Sequence, residues 1–134
     1  MLKRIHHLGI IVDDLENKMK RFERFGLRCS QVVENKEGGY KIAFFPIGEV
    51  LIELISYSPD KEPDHTSKIV RAHKDVINHI CLEVEDITAE IERLKKHGFL
   101  FVNETPSEGG DGYLVVFLHP KSTNGVLIEL AEKV

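Results

Sequence analysis

The chain has 134 residues, 42% hydrophobic and 30% charged, with a formal net charge of −4. That balance suits one globular domain, and the lack of a basic cluster beyond short helix faces gives no support to nucleic-acid binding. No apolar run is long enough to cross a bilayer and no signal peptide precedes the first strand. Cys29 and Cys81 are too few for a disulfide framework, so a reducing, cytoplasmic setting is the expectation.

Ile5 to Val12 is a short apolar run rich in β-branched residues and predicts a strand. Alternation puts His7, Gly9 and Ile11 on one face and His6, Leu8, Ile10 and Val12 on the other. Asp13 or Asp14 suits a helix N-cap. Leu15, Met19, Phe22 and Phe25 recur at helical spacing, and Gly26 closes the helix. Strands are predicted over 27–34, 40–46 and 49–57, with a turn at Glu37-Gly38-Gly39. Residues 58–75 are polar, contain Pro59 and Pro63, and form a linker with a short helix predicted over 67–73. The pattern then restarts: a strand over 76–84 with His79, Cys81 and Glu83 on one face, a helix over 88–97 ended by Gly98, and a strand over 99–102. A flexible loop over 107–112 precedes strands over 113–119 and 125–132.

The restart is an internal repeat. His6-His7-Leu8-Gly9 aligns with Asn78-His79-Ile80-Cys81 at an offset of 79 − 7 = 72, which also matches Val12 with Val84, Asp14 with Asp86, Arg21 with Arg93 and Gly26 with Gly98. Tyr40 meets Tyr113 and Phe44 meets Phe117 at offset 73. The run Val50-Leu51-Ile52-Glu53-Leu54 recurs in full as Val126-Leu127-Ile128-Glu129-Leu130 at offset 129 − 53 = 76. The second copy therefore carries a three-residue insertion near Pro120 to Asn124. A repeat found this way sets the fold: two βαβββ units, about 1–57 and 76–134, joined by the linker into one domain of ordinary size.

Each unit offers a histidine on its first strand and a glutamate within an aliphatic last strand. A carboxylate buried among aliphatic side chains needs a partner or a metal. Asn78 stands at the position of His6, so the repeat selects His7 as the match of His79. His7, Glu53, His79 and Glu129 thus form a mixed nitrogen and oxygen donor set. Such a set suits one divalent transition metal per chain, Zn, Ni, Co, Fe or Mn, with positions left open for water or substrate as in a catalytic site.

These His and Glu strands resemble the vicinal-oxygen-chelate superfamily, which includes glyoxalase I. The run His119-Pro120-Lys121-Ser122-Thr123-Asn124-Gly125-Val126-Leu127-Ile128-Glu129-Leu130 is similar more narrowly to methylmalonyl-CoA epimerases. The resemblance implies an α+β fold in which the tandem units form a barrel-like mixed sheet around a metal site, and a homodimer. It implies an epimerase acting through an enediolate on a thioester, with Glu53 and Glu129 as the catalytic carboxylates. The alternative is a lactoylglutathione lyase isomerising a glutathione hemithioacetal. Lys41 stands where some epimerases carry an acidic residue, and Lys41, His119, Lys121 and Ser122 are candidate substrate contacts. Residues 58–75 depart from the usual epimerase run. Cys81 reads as a small buried residue beside His79, His97 as a helix end, and His65 and His73 as solvated linker residues. A ring-cleaving dioxygenase would use two histidines and one carboxylate, and Glu53 argues against it. A non-catalytic small-molecule-binding relative would not need four ligands.

Overall fold

In the computed structural model, which describes residues 1–61 and 65–134, the two predicted repeats appear as two runs with the same element order. The first is β1 (Leu2–Ile11), α1 (Leu15–Phe25), β2 (Gln31–Asn35), β3 (Tyr40–Ile47) and β4 (Val50–Tyr57). The second is β5 (Ile77–Val84), α3 (Ile87–Lys96), β6 (Ser107–Glu108), β7 (Tyr113–Leu118) and β8 (Ile128–Lys133). The short α2 (His65–Val70) lies between them. The α+β class and the tandem βαβββ arrangement stand as read. Residues His7–Asn78 form one compact unit, and Met1–His6 with His79–Val134 form the other.

In the unit His7–Asn78 the strand order is β2-β3-β4-β1. β1 runs parallel to β4, with His7 beside Leu51 and Gly9 beside Glu53, and β3 runs antiparallel to β4, with Phe44 beside Glu53. Asp14 caps α1 by accepting from the Asn17 amide at 3.1 Å. The helix lays Leu15, Met19 and Phe22 over Ala43, Phe45 and Leu54, so one sheet face is apolar core and the other carries His7 and Glu53. Gly26, at φ +118°, ends the helix in the left-handed region.

The second unit repeats the plan with the order β5-β8-β7-β6. β5 runs parallel to β8, with Cys81 beside Glu129, and β7 antiparallel to it, with Phe117 beside Glu129. Asp86 caps α3, whose Ile87 and Ile91 cover Val84, Val116, Leu118 and Leu130.

Several boundaries differ from the sequence reading. β2 begins at Gln31 rather than 27, because the Leu27 amide closes α1 on the Phe22 carbonyl. Residues 99–102 make no strand: they hold one bridge, Phe101 to Leu118, while Phe99 packs against the α3 core. β8 begins at Ile128, since Gly125 and Val126 bond back to Pro120 and Thr123 in a turn. The loop 107–112 contains β6 and a short 3-10 turn at Gly110–Gly112. α3 ends as read, with His97 at the cap and Gly98 just beyond it in the left-handed region at φ +86°. The linker helix spans 65–70, three residues short of the predicted end. Phe25 follows the helical spacing but is 85% exposed, one position past the covered face.

Candidate metal centre

In each unit a histidine on the first strand meets a glutamate on the last. In the unit His7–Asn78, His7 Nδ1 lies 2.8 Å from Glu53 Oε2, with both residues buried. Glu53 projects from β4 away from α1, because its neighbours Ile52 and Leu54 take the core side. Across the ladder it faces Gly9, which has no side chain to fill the space, and on the other side Phe44. His7 is two residues before Gly9 and leaves the same face.

In the other unit, His79 Nε2 lies 3.6 Å from Glu129 Oε1, again with both buried. Glu129 faces Cys81 on β5 and Phe117 on β7. The Phe117 ring meets the His79 imidazole edge to face, 5.3 Å between centroids at 84°. The small residue opposite the carboxylate is Gly9 in one unit and Cys81 in the other, and the aromatic neighbour is Phe44 or Phe117. Cys81 is fully buried with Tyr113 and Ala131, in keeping with its reading as a small buried residue. His6, the histidine the repeat sets aside, packs edge-on against Tyr113 at 4.5 Å.

A carboxylate inside a sheet of aliphatic and aromatic side chains is held there only with a cation or donors beside it. His7, His79 and Glu129 offer nitrogen and oxygen atoms of the kind that hold a divalent metal, and Glu53 offers the same chemistry beside His7. The donor set therefore fits the metal the sequence implies. The buried Glu83 on β5 is accounted for differently. Burial raises its proton affinity, but the Lys3 ammonium at 3.3 Å and the Arg4 guanidinium at 2.8 Å outweigh that and hold it below the ordinary glutamate range.

The structure places the candidate substrate contacts as follows. Lys41 alternates with Ile42, so it leaves β3 on the face opposite Glu53, beside Ser56. His119, Lys121 and Ser122 build a turn: His119 Nδ1 accepts from the Lys121 amide at 3.2 Å, and Ser122 Oγ donates to the His119 carbonyl at 2.9 Å and accepts from the Leu100 amide at 3.1 Å. His73 and His97 are exposed, and the His65 side chain lies outside the described residues. Phe44 and Phe117, which match at offset 73 in the sequence, stand beside the two carboxylates in the ladders.

The model of the glyoxalase/bleomycin resistance protein/dioxygenase superfamily matches residues 6–117. The chain is 36% identical to the mitochondrial methylmalonyl-CoA epimerase of Dictyostelium discoideum, covering 97% of this chain and 78% of that one. It is 32% identical to the ethylmalonyl-CoA/methylmalonyl-CoA epimerase of Cereibacter sphaeroides, covering 98% and 99%. Among solved structures, methylmalonyl-CoA epimerase from Mycobacterium tuberculosis matches with a TM-score of 0.82 at 27% identity, covering 99% of this chain and 89% of that one. No helix among the described residues is long and apolar enough to cross a membrane.

Proposed function

The chain belongs to the glyoxalase/bleomycin resistance protein/dioxygenase superfamily, and from that premise we propose that it is a metal-dependent epimerase of an acyl-CoA thioester, most like methylmalonyl-CoA epimerase. The epimerases of Dictyostelium discoideum and Cereibacter sphaeroides, which it matches over nearly its whole length, are isomerase enzymes. The observation that carries the reading is one buried His–Glu pair in each unit, His7 with Glu53 and His79 with Glu129. We assign these four residues as the ligands of one divalent metal. Bound there, such an ion supplies Lewis-acid stabilisation of the charge that develops on a carbonyl oxygen when the adjacent C–H ionises.

The chain's own residues supply the proton traffic. One carboxylate, at Glu53 or Glu129, takes the α-proton, breaking C–H and forming O–H. The other gives its proton to the opposite face of the same carbon and becomes the carboxylate. After one turnover the two carboxyl groups have exchanged protonation states; proton exchange with water resets them for the same direction, and no oxidant or further reactant is required. Phe44 and Phe117 stand beside the two glutamates on the sheet, where apolar rings limit the water that competes for those oxygens. Gly9, opposite Glu53, puts no side chain against that carboxylate.

A lactoylglutathione lyase would share the first proton transfer but return the proton to the neighbouring carbon. The strength of the epimerase relatives favours epimerisation. Metal-reconstituted protein offered methylmalonyl-CoA and, separately, the hemithioacetal of methylglyoxal and glutathione tests the choice. Turnover of the first supports the proposal, turnover of the second alone replaces it with the lyase, and turnover of neither leaves a binding module. To this reading we add a homodimer, on the family resemblance, and a reducing, cytoplasmic setting, on the small number of cysteines.

A further inference from the structure

In the unit His7–Asn78 a cavity of about 220 Å³ opens where β4 ends, lined in part by Asp13, Tyr57, Ser58, Lys61, Arg71 and Lys74. Three cations against one carboxylate leave a local excess of 3 − 1 = 2 positive charges, on a chain whose formal net charge is −4. Asp13 already holds Lys74 at 2.8 Å, and Asp60 in the adjoining cavity faces Lys61, so the excess resides chiefly on Arg71. Arg71 Nε is shielded from solvent and has no hydrogen-bond partner among the described residues. Its guanidinium carbon sits 3.8 Å from the centroid of the Tyr57 ring. Stacking fixes a guanidinium while leaving its in-plane N–H fork for an oxyanion, and a buried donor without an acceptor is costly until a ligand supplies one.

Lys61 is placed with similar care. Its stem passes over Gly39, where an added Cβ would come within 2.5 Å of Lys61 Cγ. Gly39 also adopts φ +69°, so a residue with a side chain there would be strained and would displace the lysine. Tyr57, Ser58 and Lys61 line a second, adjoining cavity of about 380 Å³, which adds Lys36 and Lys41 alongside Glu34 and Asp60.

We propose that this cavity binds the phosphate end of the coenzyme A thioester, with Arg71 and Lys61 each holding phosphate oxygens. Tyr57 stands four residues beyond Glu53 on β4, roughly 13 Å along an extended strand, a span of the order of a pantetheine arm. The thioester at Glu53 and the phosphates beside Tyr57 are thus served by the middle and the end of one strand. The inference rests on the acyl-CoA reading and adds to it a site that reads the nucleotide portion.

The test uses metal-loaded full-length protein and two substrates, methylmalonyl-CoA and methylmalonyl-pantetheine, which lacks the phosphates. In Arg71→Gln and in the more exposed Lys61→Gln, the ratio of kcat/KM for the CoA thioester over the pantetheine thioester should fall roughly tenfold, the order expected of one charge-assisted hydrogen bond, mainly through KM. An unchanged ratio in both variants overturns the site. Should wild-type protein turn over neither thioester, the epimerase reading fails by itself, and calorimetry with adenosine 3′,5′-bisphosphate decides the cavity. Binding to wild type that is lost in both variants supports it. No binding to wild type, equal binding to the variants, or inorganic phosphate binding as tightly as the bisphosphate overturns it.

Discussion

Leu54 and Leu130 occupy equivalent places in the two repeats and are both fully buried, at 0% and 2% exposure. Each turns into the core between strand and helix, and the residue before it, Glu53 or Glu129, is thereby turned to the other face. Leu→Ala removes three methylene-sized groups, each worth about 0.8 kcal/mol when buried, or about 2.5 kcal/mol in all. The cavity left behind raises the cost to about 3–4 kcal/mol in cores that relax only partly. Leu54→Ala and Leu130→Ala should therefore each cost about 3–4 kcal/mol in urea unfolding and lower the melting temperature by about 10 °C or more. Ile52→Ala, at a half-buried site on the same strand, should cost distinctly less. A loss below about 1 kcal/mol at Leu54 or Leu130, smaller than any filled core site shows, would refute the assignment of faces and with it the placement of both glutamates. So would an Ile52→Ala cost that matches the Leu54→Ala cost.

Three further outcomes are expected. His7→Ala and His79→Ala should each lose most bound metal, measured by elemental analysis after dialysis; full occupancy in both would remove these residues as ligands. Glu53→Gln and Glu129→Gln keep an oxygen donor while removing a base, so at least one should retain metal yet lose rate by about 10²–10⁴-fold in steady-state assays. Finally, Glu83 has a proton affinity lowered in the fold by Lys3 and Arg4 against the opposing effect of burial. Its contribution to stability is thus present above the unfolded glutamate pKa and is lost as pH falls through the lower folded value. Both cations are partly exposed, which limits each pair to about 1 kcal/mol or less. Urea midpoints should accordingly drop below about pH 5, and Glu83→Gln should flatten that drop.

The parts of the molecule that repeat were legible, because two copies of one pattern exclude most accidents. His7 could be chosen over His6 only because the repeat sets Asn78 against His6 and His79 against His7, and the structure pairs His7 with Glu53 and packs His6 edge-on against Tyr113. Strand starts were less legible. Leu27, Cys29 and Phe99 are apolar and look like strand residues, but each packs against a helix core and leaves its backbone outside the ladder. The turn at 119–122 reads two ways for a related reason: His119 and Ser122 are residue types that bind ligands, and equally types that bond their own backbone, and both make backbone bonds here. Arg71 carried no sequence signal, since its value comes from Tyr57, fourteen residues earlier, reached only once the linker folds back. Lys41 was placed by position in a resemblance rather than by strand alternation, which turns it away from Glu53.

The central claim is proton exchange at a carbon beside a carbonyl, carried by Glu53 and Glu129 with a metal held by His7 and His79. Methylmalonyl-CoA incubated in D₂O with metal-loaded protein and followed by NMR tests it directly. The account predicts deuterium at the α-carbon, accompanied by loss of stereochemical purity, and loss of both signals when Glu53 and Glu129 are together replaced by Gln. Fully metallated, folded protein that leaves the α-proton in place would contradict it.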